Sequence, residues 1–376
     1  MKIKPARQRS VLRTYLIGVT VAVALGIFFY YWWHKPLGPG LQLPERTVVA
    51  TTAPQLLSLP EQTVEVPVND SGQVAGVEPG DQPVVQINPS AEPVCGGPTQ
   101  MTILLIGSDY RGDGFLYGLA DAIRLVRIDF ITPAVSVLDF PRDLWVEIPG
   151  IADHYGLSHG KLNQAYFFGT PGMAYYDGPG EGAGLLARTL DLNFNARVDH
   201  YLTLQMKTLA DAVDAVGGVD ITFDTGVDLN AVVGPTYEHL LFSAGTYHFN
   251  GELAVHLVTS RKPGTFQRTR YQNMLIFALR DKLLAPEMLP RLPGLALQFL
   301  GDTQTDLSPN DITELICVAK MISDENIHFA SFPEELFTPG SIFDPYRQSN
   351  TYIYRADFDI LRAYVAQFMN GTWPGP

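Results

Sequence analysis

Charged residues stand hard against apolar runs at several places in this sequence. Leu104-Leu105-Ile106 leads through Gly107 and Ser108 to Asp109 and Arg111, and Asp121 stands just before the run Ile123–Phe130. Phe140-Pro141 is followed by Arg142-Asp143, Lys161 opens the stretch Lys161-Leu-Asn-Gln-Ala-Tyr166, and Ser260 is followed by Arg261-Lys262. Arg268, Arg270 and Gln272 lie within five residues. An acid just past the C-terminal end of a buried strand is where α/β sheets present ligand groups. The same carboxylate also serves as a turn cap, and each arginine taken alone also fits a surface salt bridge. Together they supply two acids for a hard cation and several donors for phosphate, the parts that phosphoryl transfer needs. No Walker loop, HExxH or Cys/His metal cluster accompanies them, and His154 and His159 read as residues of a solvated loop.

The elements that must position these groups follow from composition and period. β-branched and aromatic runs predict strands over 102–106, 123–130, 134–140, 145–148, 200–204, 219–223 and 327–331. Thr132-Pro133 joins the second and third of these as a hairpin, which makes the sheet mixed. Helices are predicted over 205–216, ending at Gly217-Gly218, over 252–259 and over 268–284, with another starting at Lys161. Ser308-Pro-Asn-Asp311 caps a further helix, and a last one runs to Asn370-Gly371. The backbone N–H groups at the start of the 268–284 helix, with Arg268, Arg270 and Gln272, could face one anion. Strands alternating with helices predict a three-layer α/β/α fold, a mixed β-sheet covered by helices on both faces.

Thr14–Trp33 is an uncharged run long enough to cross a hydrocarbon core of about 30 Å. Lys2, Lys4, Arg7, Arg9 and Arg13 precede it with no acid among them, and Tyr30, Tyr31, Trp32 and Trp33 close it. Residues 1–13 are therefore expected in the cytoplasm, 14–33 as a single transmembrane signal anchor, and everything beyond outside the cell membrane. A cleavable signal peptide is the rival, since Ala22-Val-Ala24 resembles a cleavage site. Prolines recur through residues 34–98 without apolar periodicity, which predicts an extended tether. The stretch from Thr99 on suits one large domain or two small ones, and 99–371 is expected to be one folded domain. The formal charge is −13, and the part after Arg13 is more acidic still, which argues against general nucleic-acid binding. Cys95 and Cys317, the only cysteines, are expected to pair if the domain lies outside; two unrelated thiols are the alternative.

The wording and order of these segments resemble the LytR-CpsA-Psr family, anchored phosphotransferases of cell-envelope assembly. The stretches that carry the resemblance are ILLIGSDYR, LADAIRLVRID, VSVLDFPRDLWVEIPG, HGKLNQAYFFG, AVGGVDI, SAGTYHFNGELAVHLVTSR and TFQRTRYQN, spanning about Met101 to Gly371. The resemblance implies transfer of glycopolymer-phosphate from a polyprenyl-diphosphate-linked donor to a cell-wall hydroxyl, classically on peptidoglycan. It implies Mg²⁺ held by Asp109 and Asp121, with Arg142 and Arg261 acting on the diphosphate. Arg111, Lys161, Arg268, Arg270 and Gln272 are expected to bind substrate. The sequence departs from the family at Leu119 and Thr259, each where an arginine is usual, and at Thr265 and Tyr271. These losses leave a second reading open, a non-catalytic protein of the same fold that binds polyprenyl lipid or wall polymer. A transcriptional attenuator, the role once attached to the family name, is disfavoured by an acidic domain placed outside the membrane.

Overall fold

In the computed structural model the described residues are 30–45, 92–109, 114–232, 235–260, 262 and 265–374. The chain divides into two units, residues 1–43 with 93–376 and residues 44–92, and the fold below is that of the first. The predicted span lies outside the described residues over 14–29. Among the described residues no helix is long and apolar enough to cross a membrane.

A mixed sheet forms the centre. Its antiparallel meander is β1 (Gln100–Ser108), β2 (Ala120–Asp129) and β3 (Ala134–Asp139), with the expected hairpin between the last two. A short hairpin follows, β4 (Trp145–Glu147) with β5 (His159–Lys161), and leads into helices α1 (Leu162–Phe168) and α2 (Glu181–Phe194). β6 (His200–Gln205) returns parallel to β1, the crossover expected when helices connect strands of one sheet. Next come α3 (Met206–Ala215), β7 (Val219–Phe223), β8 (Val227–Asp228), β9 (Leu241–Phe242), β10 (Gly245–Phe249), α4 (Gly251–Thr259), α5 (Thr265–Leu284) and α6 (Leu292–Phe299). The chain closes with β11 (Thr303–Thr305), α7 (Pro309–Ala319), β12 (Ile327–Ser331), the hairpin of β13 (Thr338–Asp344) and β14 (Ser349–Arg355), and α8 (Phe358–Met369). The strand order in the main sheet is β11-β6-β1-β2-β3-β12. The predicted strand at 219–223 forms, but outside this sheet, paired with β10.

Alternation along β1 and β2 sends side chains to two cores. Leu104, Ile106, Ile123 and Leu125 pack with α1, α2 and α8, while Met101, Ile103, Ile128 and Phe130 pack with α7. A separate apolar cluster joins α3, α4 and α5 to β7 and β10. The approach of α1 to α2 depends on glycine, because a Cβ on Gly182 would come 2.7 Å from the Tyr166 carbonyl oxygen. Ser308 caps α7 as expected, its hydroxyl accepting from the Asp311 amide at 3.2 Å in a capping box. Cys95 and Cys317 form a disulfide, tying the residues just before β1 to α7. Before the domain proper, Leu37 donates its amide to Leu307, and Leu41 and Leu43 pack on the main core.

Candidate active site

Two acids reach the site by different devices. Asp109 follows the last residue of β1; its amide donates to the Leu119 carbonyl at 3.0 Å, and its Oδ1 accepts from the Leu119 amide at 2.7 Å. Asp121 lies inside β2 rather than before it. The register steps from Gly107 opposite Ala122 to Ser108 opposite Ala120, so Asp121 is the extra residue of a β-bulge. A bulge re-aims a side chain at the end of a strand, and here both carboxylates line the same cavity. That cavity, about 930 Å³, is walled by Met206, Leu229, Leu240 and Val255 and by Glu252, His256, Thr259 and Ser260.

The turn after β3 carries the cations. Leu144 donates its amide to the Pro141 carbonyl, which leaves Arg142 and Asp143 as the two central residues of the turn. Their carbonyls are both taken, Arg142 O by the Asn163 amide of α1 and Asp143 O by the Tyr354 amide of β14. The guanidinium is held from two sides: Nη1 pairs with Asp121 Oδ1, and Nε donates to Asp143 Oδ2 at 3.3 Å. Lys161 Nζ reaches the other oxygen of Asp143 at 2.8 Å. Burial alone would raise the Asp143 carboxyl, but Arg142, Lys161 and Arg268 outweigh it and hold its pKa below the ordinary value. The acids act in return on Arg142, whose pKa they lift against the effect of burial. Asp121, Arg142, Asp143 and Lys161 therefore form one alternating line of charge.

A second polar group lies beside it. Arg124 and Asp139 sit directly across β2 and β3 and pair at 2.7 Å (Nε to Oδ1). Arg124 is 1% exposed, its Nη2 donates to Gln272 Oε1 at 3.1 Å, and Gln272 Nε2 donates to the Val258 carbonyl at 3.3 Å. Desolvation dominates at Asp139 and pushes its pKa up to about 6 despite the arginine. Arg124 and Gln272 form the polar end of a smaller cavity of about 110 Å³, otherwise lined by Leu105, Leu204, Met206, Leu209, Leu275 and Ile276 among others.

Of the residues expected from the sequence, Asp109, Asp121, Arg142, Lys161, Arg268 and Gln272 are brought together. Arg111 and Arg261 lie outside the described residues. Arg270 is exposed on α5, half a turn from the face that buries Arg268 and Gln272. Lys262 is engaged elsewhere, with Asp228 at 2.6 Å. Thr259, where an arginine was expected, turns its hydroxyl back to the Val255 carbonyl at 2.7 Å. Tyr271 is buried in the apolar cluster of α3, α4 and α5, edge-on to Phe223. Gly156-Leu-Ser158-His-Gly160 has the spacing of a nucleophile elbow, but exposed Ser158 precedes a strand instead of joining strand to helix. Asp139 escaped the sequence reading, although a charge inside an apolar strand has to find a partner. Counting back from the Thr132-Pro133 turn places it opposite Arg124.

Two carboxylates in one cavity suit Mg²⁺, which is typically bound through one or two carboxylates, with waters and substrate phosphate oxygens completing its shell. An all-protein cage is not supported, since among the described residues no group of three or more His, Cys, Asp or Glu could hold an ion.

A family model described as LytR_cpsA_psr family matches residues 78–365. The chain is 31% identical over 227 residues to a polyisoprenyl-teichoic acid–peptidoglycan teichoic acid transferase TagU of Oceanobacillus iheyensis, covering 57% of this chain and 62% of that protein. It is 28% identical over 179 residues to the TagU of Bacillus cereus, covering 47% of this chain and 50% of the relative. The match thus spans about half to three-fifths of the length of these relatives. Among solved structures, B. subtilis TagV superposes with a TM-score of 0.54 at 21% identity, covering 72% of this chain and 98% of that one. Protein gbs0355 of Streptococcus agalactiae gives 0.57 at 21% identity, covering 72% and 88%. These likenesses show a common fold.

Proposed function

The chain belongs to the LytR_cpsA_psr family, and on that premise we propose that it transfers glycopolymer-phosphate from a polyprenyl-diphosphate-linked donor to a hydroxyl of the cell wall. The observation that carries this reading is the line of charge from Asp121 through Arg142 and Asp143 to Lys161, set beside a large cavity that both Asp109 and Asp121 line. The TagU relatives are named for transferring teichoic acid to peptidoglycan from a polyisoprenyl carrier, which is the same chemistry.

In this mechanism Arg142 and Arg268 neutralise charge that gathers on diphosphate oxygens as the bond to the leaving phosphate breaks. Asp121 and Asp143 fix the Arg142 guanidinium before the substrate arrives, so no reorganisation is needed at the moment of reaction. The smaller, apolar cavity offers a dry wall for the first units of a polyprenyl tail, and Gln272 and Arg124 mark its polar end. Asp109 and Asp121 would hold Mg²⁺, which when bound polarises the phosphoryl oxygens. The basic flank and uncharged run at residues 1–33 support a single-pass anchor with the domain outside the cell membrane, where a lipid-linked donor and the wall meet.

One observation favours the alternative, a lipid or wall-polymer binder without transfer. Leu119 and Thr259 supply no guanidinium, and Thr259 stands on the cavity wall itself. Release of polyprenyl phosphate from a synthetic lipid-linked saccharide separates the two readings. For an enzyme, Arg142→Ala lowers turnover by about 10²–10³, the scale of one lost oxyanion donor, with a smaller loss of donor binding. A wild-type chain that binds the donor and releases no polyprenyl phosphate, with or without Mg²⁺, removes the transferase reading.

A further inference from the structure

The residues that follow the aromatic end of the uncharged run lie against the domain instead of leading away from it. The helical turn at Tyr30–Trp33 closes at His34 and Lys35, whose amides donate to the Tyr30 and Trp32 carbonyls at 3.2 and 3.3 Å. Beyond Pro36 the chain is already docked. The Leu37 amide donates to the Leu307 carbonyl at 3.1 Å, just past β11, the edge strand of the main sheet. The Gly38 backbone comes so near that a Cβ there would lie 2.6 Å from the Thr305 carbonyl oxygen. The Pro39 carbonyl accepts from the Tyr201 hydroxyl of β6 at 3.3 Å. Leu41 and Leu43 then pack on the main core while Gln42 between them is exposed, the alternation of an extended segment. Pro36, Pro39 and Pro44 restrict the backbone here, so less conformational entropy is lost when the segment docks.

The chain is fastened again where it rejoins the domain. The Val94 amide donates to the Phe130 carbonyl at 2.8 Å, a Cβ on Gly97 would meet the Phe130 ring at 2.5 Å, and Cys95 is bonded to Cys317 of α7. Residues 44–92 thus run from one fastened point of the domain to another. The consequence for reach is large. A free link over residues 34–98 would have an r.m.s. span of about 45 Å as a flexible coil. The residues His34–Pro36, which alone separate Trp33 from the docked segment, span at most about 11 Å. The strap also lies close to the reactive end of the sheet. Tyr201 precedes Gln205 by four residues, about 13 Å along β6, and Gln205 pairs with Ser108, after which Asp109 follows.

We propose that residues 37–43 are a mooring strap that holds the domain at the outer end of the membrane anchor, so that residues 44–92 contribute nothing to its reach. The assignment rests on the single-pass anchor reading and adds to it the height at which the domain stands. The occupant of the β11 edge is a segment of this chain already seated there, and Gly38 is the residue that lets it approach. Covering an edge strand also denies its unpaired backbone groups to other chains. That role alone would leave the distance from bilayer to domain to the length of 44–92, whereas a mooring makes that length irrelevant. With the strap closed, the reactive end is confined near the bilayer that carries a lipid-linked donor, and confinement raises its effective concentration there.

The test has two parts, both on the full chain. Cys95 and Cys317 are paired, so a maleimide reads an introduced thiol alone. In detergent micelles Leu41→Cys and Leu43→Cys react about ten-fold more slowly than Gln42→Cys, because the strap must open first. Adding Gly38→Leu, whose side chain meets the Thr305 carbonyl, brings all three within about two-fold of one another. The second part uses lipid nanodiscs and energy transfer from a dye on Glu335→Cys, an exposed position, to an acceptor lipid. A Gly-Ser insertion of about forty residues after Lys35 adds about 35 Å and lowers the transfer. The same insertion after Ser71 leaves it unchanged, and lowers it only when Gly38→Leu is also present. Equal labelling of the three thiols overturns the strap. A drop in transfer on the Ser71 insertion with Gly38 intact overturns the mooring, even if the labelling shows the segment docked. A chain that does not enter the bilayer removes the anchor reading and the mooring with it, and slow labelling at 41 and 43 then identifies the segment as an edge cover only.

Discussion

The Arg124–Asp139 pair gives the most direct test of how charge is held in this fold. Both side chains are nearly sealed from water, at 2% and 10% exposure. Asp139 is raised from an ordinary 3.8 to about 6, which corresponds to about 3 kcal/mol. The sign follows from linkage. A carboxyl whose folded pKa exceeds its unfolded pKa holds its proton more tightly in the native state. Its contribution to stability is then largest below pH 3.8, falls as pH rises through about 6, and is flat above that. Asp143, with its lowered pKa, contributes in the opposite sense, losing stability as pH falls. A difference measurement is therefore needed. Arg124→Met with Asp139→Leu removes both charges and keeps the volume apolar, and is expected to leave stability at pH 7.5 unchanged or raise it by about 1–4 kcal/mol. Asp139→Asn alone strands the guanidinium and costs about 3–5 kcal/mol. Urea unfolding of the full chain in detergent, followed by tryptophan fluorescence at pH 4.5 and 7.5, reads all three. Wild type should lose stability relative to the double variant on going from the lower pH to the higher. The same pH dependence in both refutes the assignment of a raised Asp139. The double variant also releases Gln272 Oε1 from its donor, so turnover falls even where stability rises.

Reduction of the Cys95–Cys317 disulfide, which closes a loop with a sequence separation of 222, should remove about 5 kcal/mol on a chain-entropy basis and lower the Tm by roughly 10 °C. Thermal unfolding with and without reductant checks it, and an unchanged Tm refutes it. Leu119→Arg with Thr259→Arg supplies the two guanidinium groups usual in the family and should raise turnover about ten-fold or more if their absence limits the reaction. Greater donor affinity with no gain in kcat shows that it does not.

Much of the frame was legible because local signals agreed. The Thr132-Pro133 hairpin, the Ser308 capping box and the strand at 327–331 all form where composition placed them. Two elements hid behind their glycines and prolines. Helix Glu181–Phe194 begins Glu-Gly-Ala-Gly, a poor helix start by propensity, yet both glycines are required by close contacts with Tyr166 and Pro179. The β13–β14 hairpin contains Pro339-Gly340 and Asp344-Pro345, which read as loop, and its strands form a two-stranded sheet outside the main one, where proline is tolerated. The site divides in the same way. Arg142 and Lys161 could be read from charges adjoining apolar runs. Arg268 and Gln272, four residues apart, share a helix face that Arg270 does not, a separation that helical period alone shows. The bulge at Asp121 follows the pair Gly107–Ala122, where a Cβ on the glycine would come 3.1 Å from that of Ala122, and this cross-strand register is not encoded in any local pattern.

That bulge also explains why the site can keep so much charge in a small space. Asp121 and Asp143 each give Arg142 a fixed partner, and Lys161 balances the oxygen of Asp143 that does not face Nε. With three cations acting on it, Asp143 stays ionised and is a weak proton acceptor, so in the proposed reaction its part is to aim Arg142 and Lys161. Aim matters more than charge here. A guanidinium already held by two carboxylates has lost most of its rotamer freedom before the substrate binds, and its remaining N–H groups point where those bonds leave them. The carboxylates therefore lower the affinity of a cation for any anion at rest and raise its value at the one position where charge develops. In the proposed transferase, the selectivity for a transition state over a bound diphosphate then lies in the turn at Pro141–Leu144 and the elements that pin it.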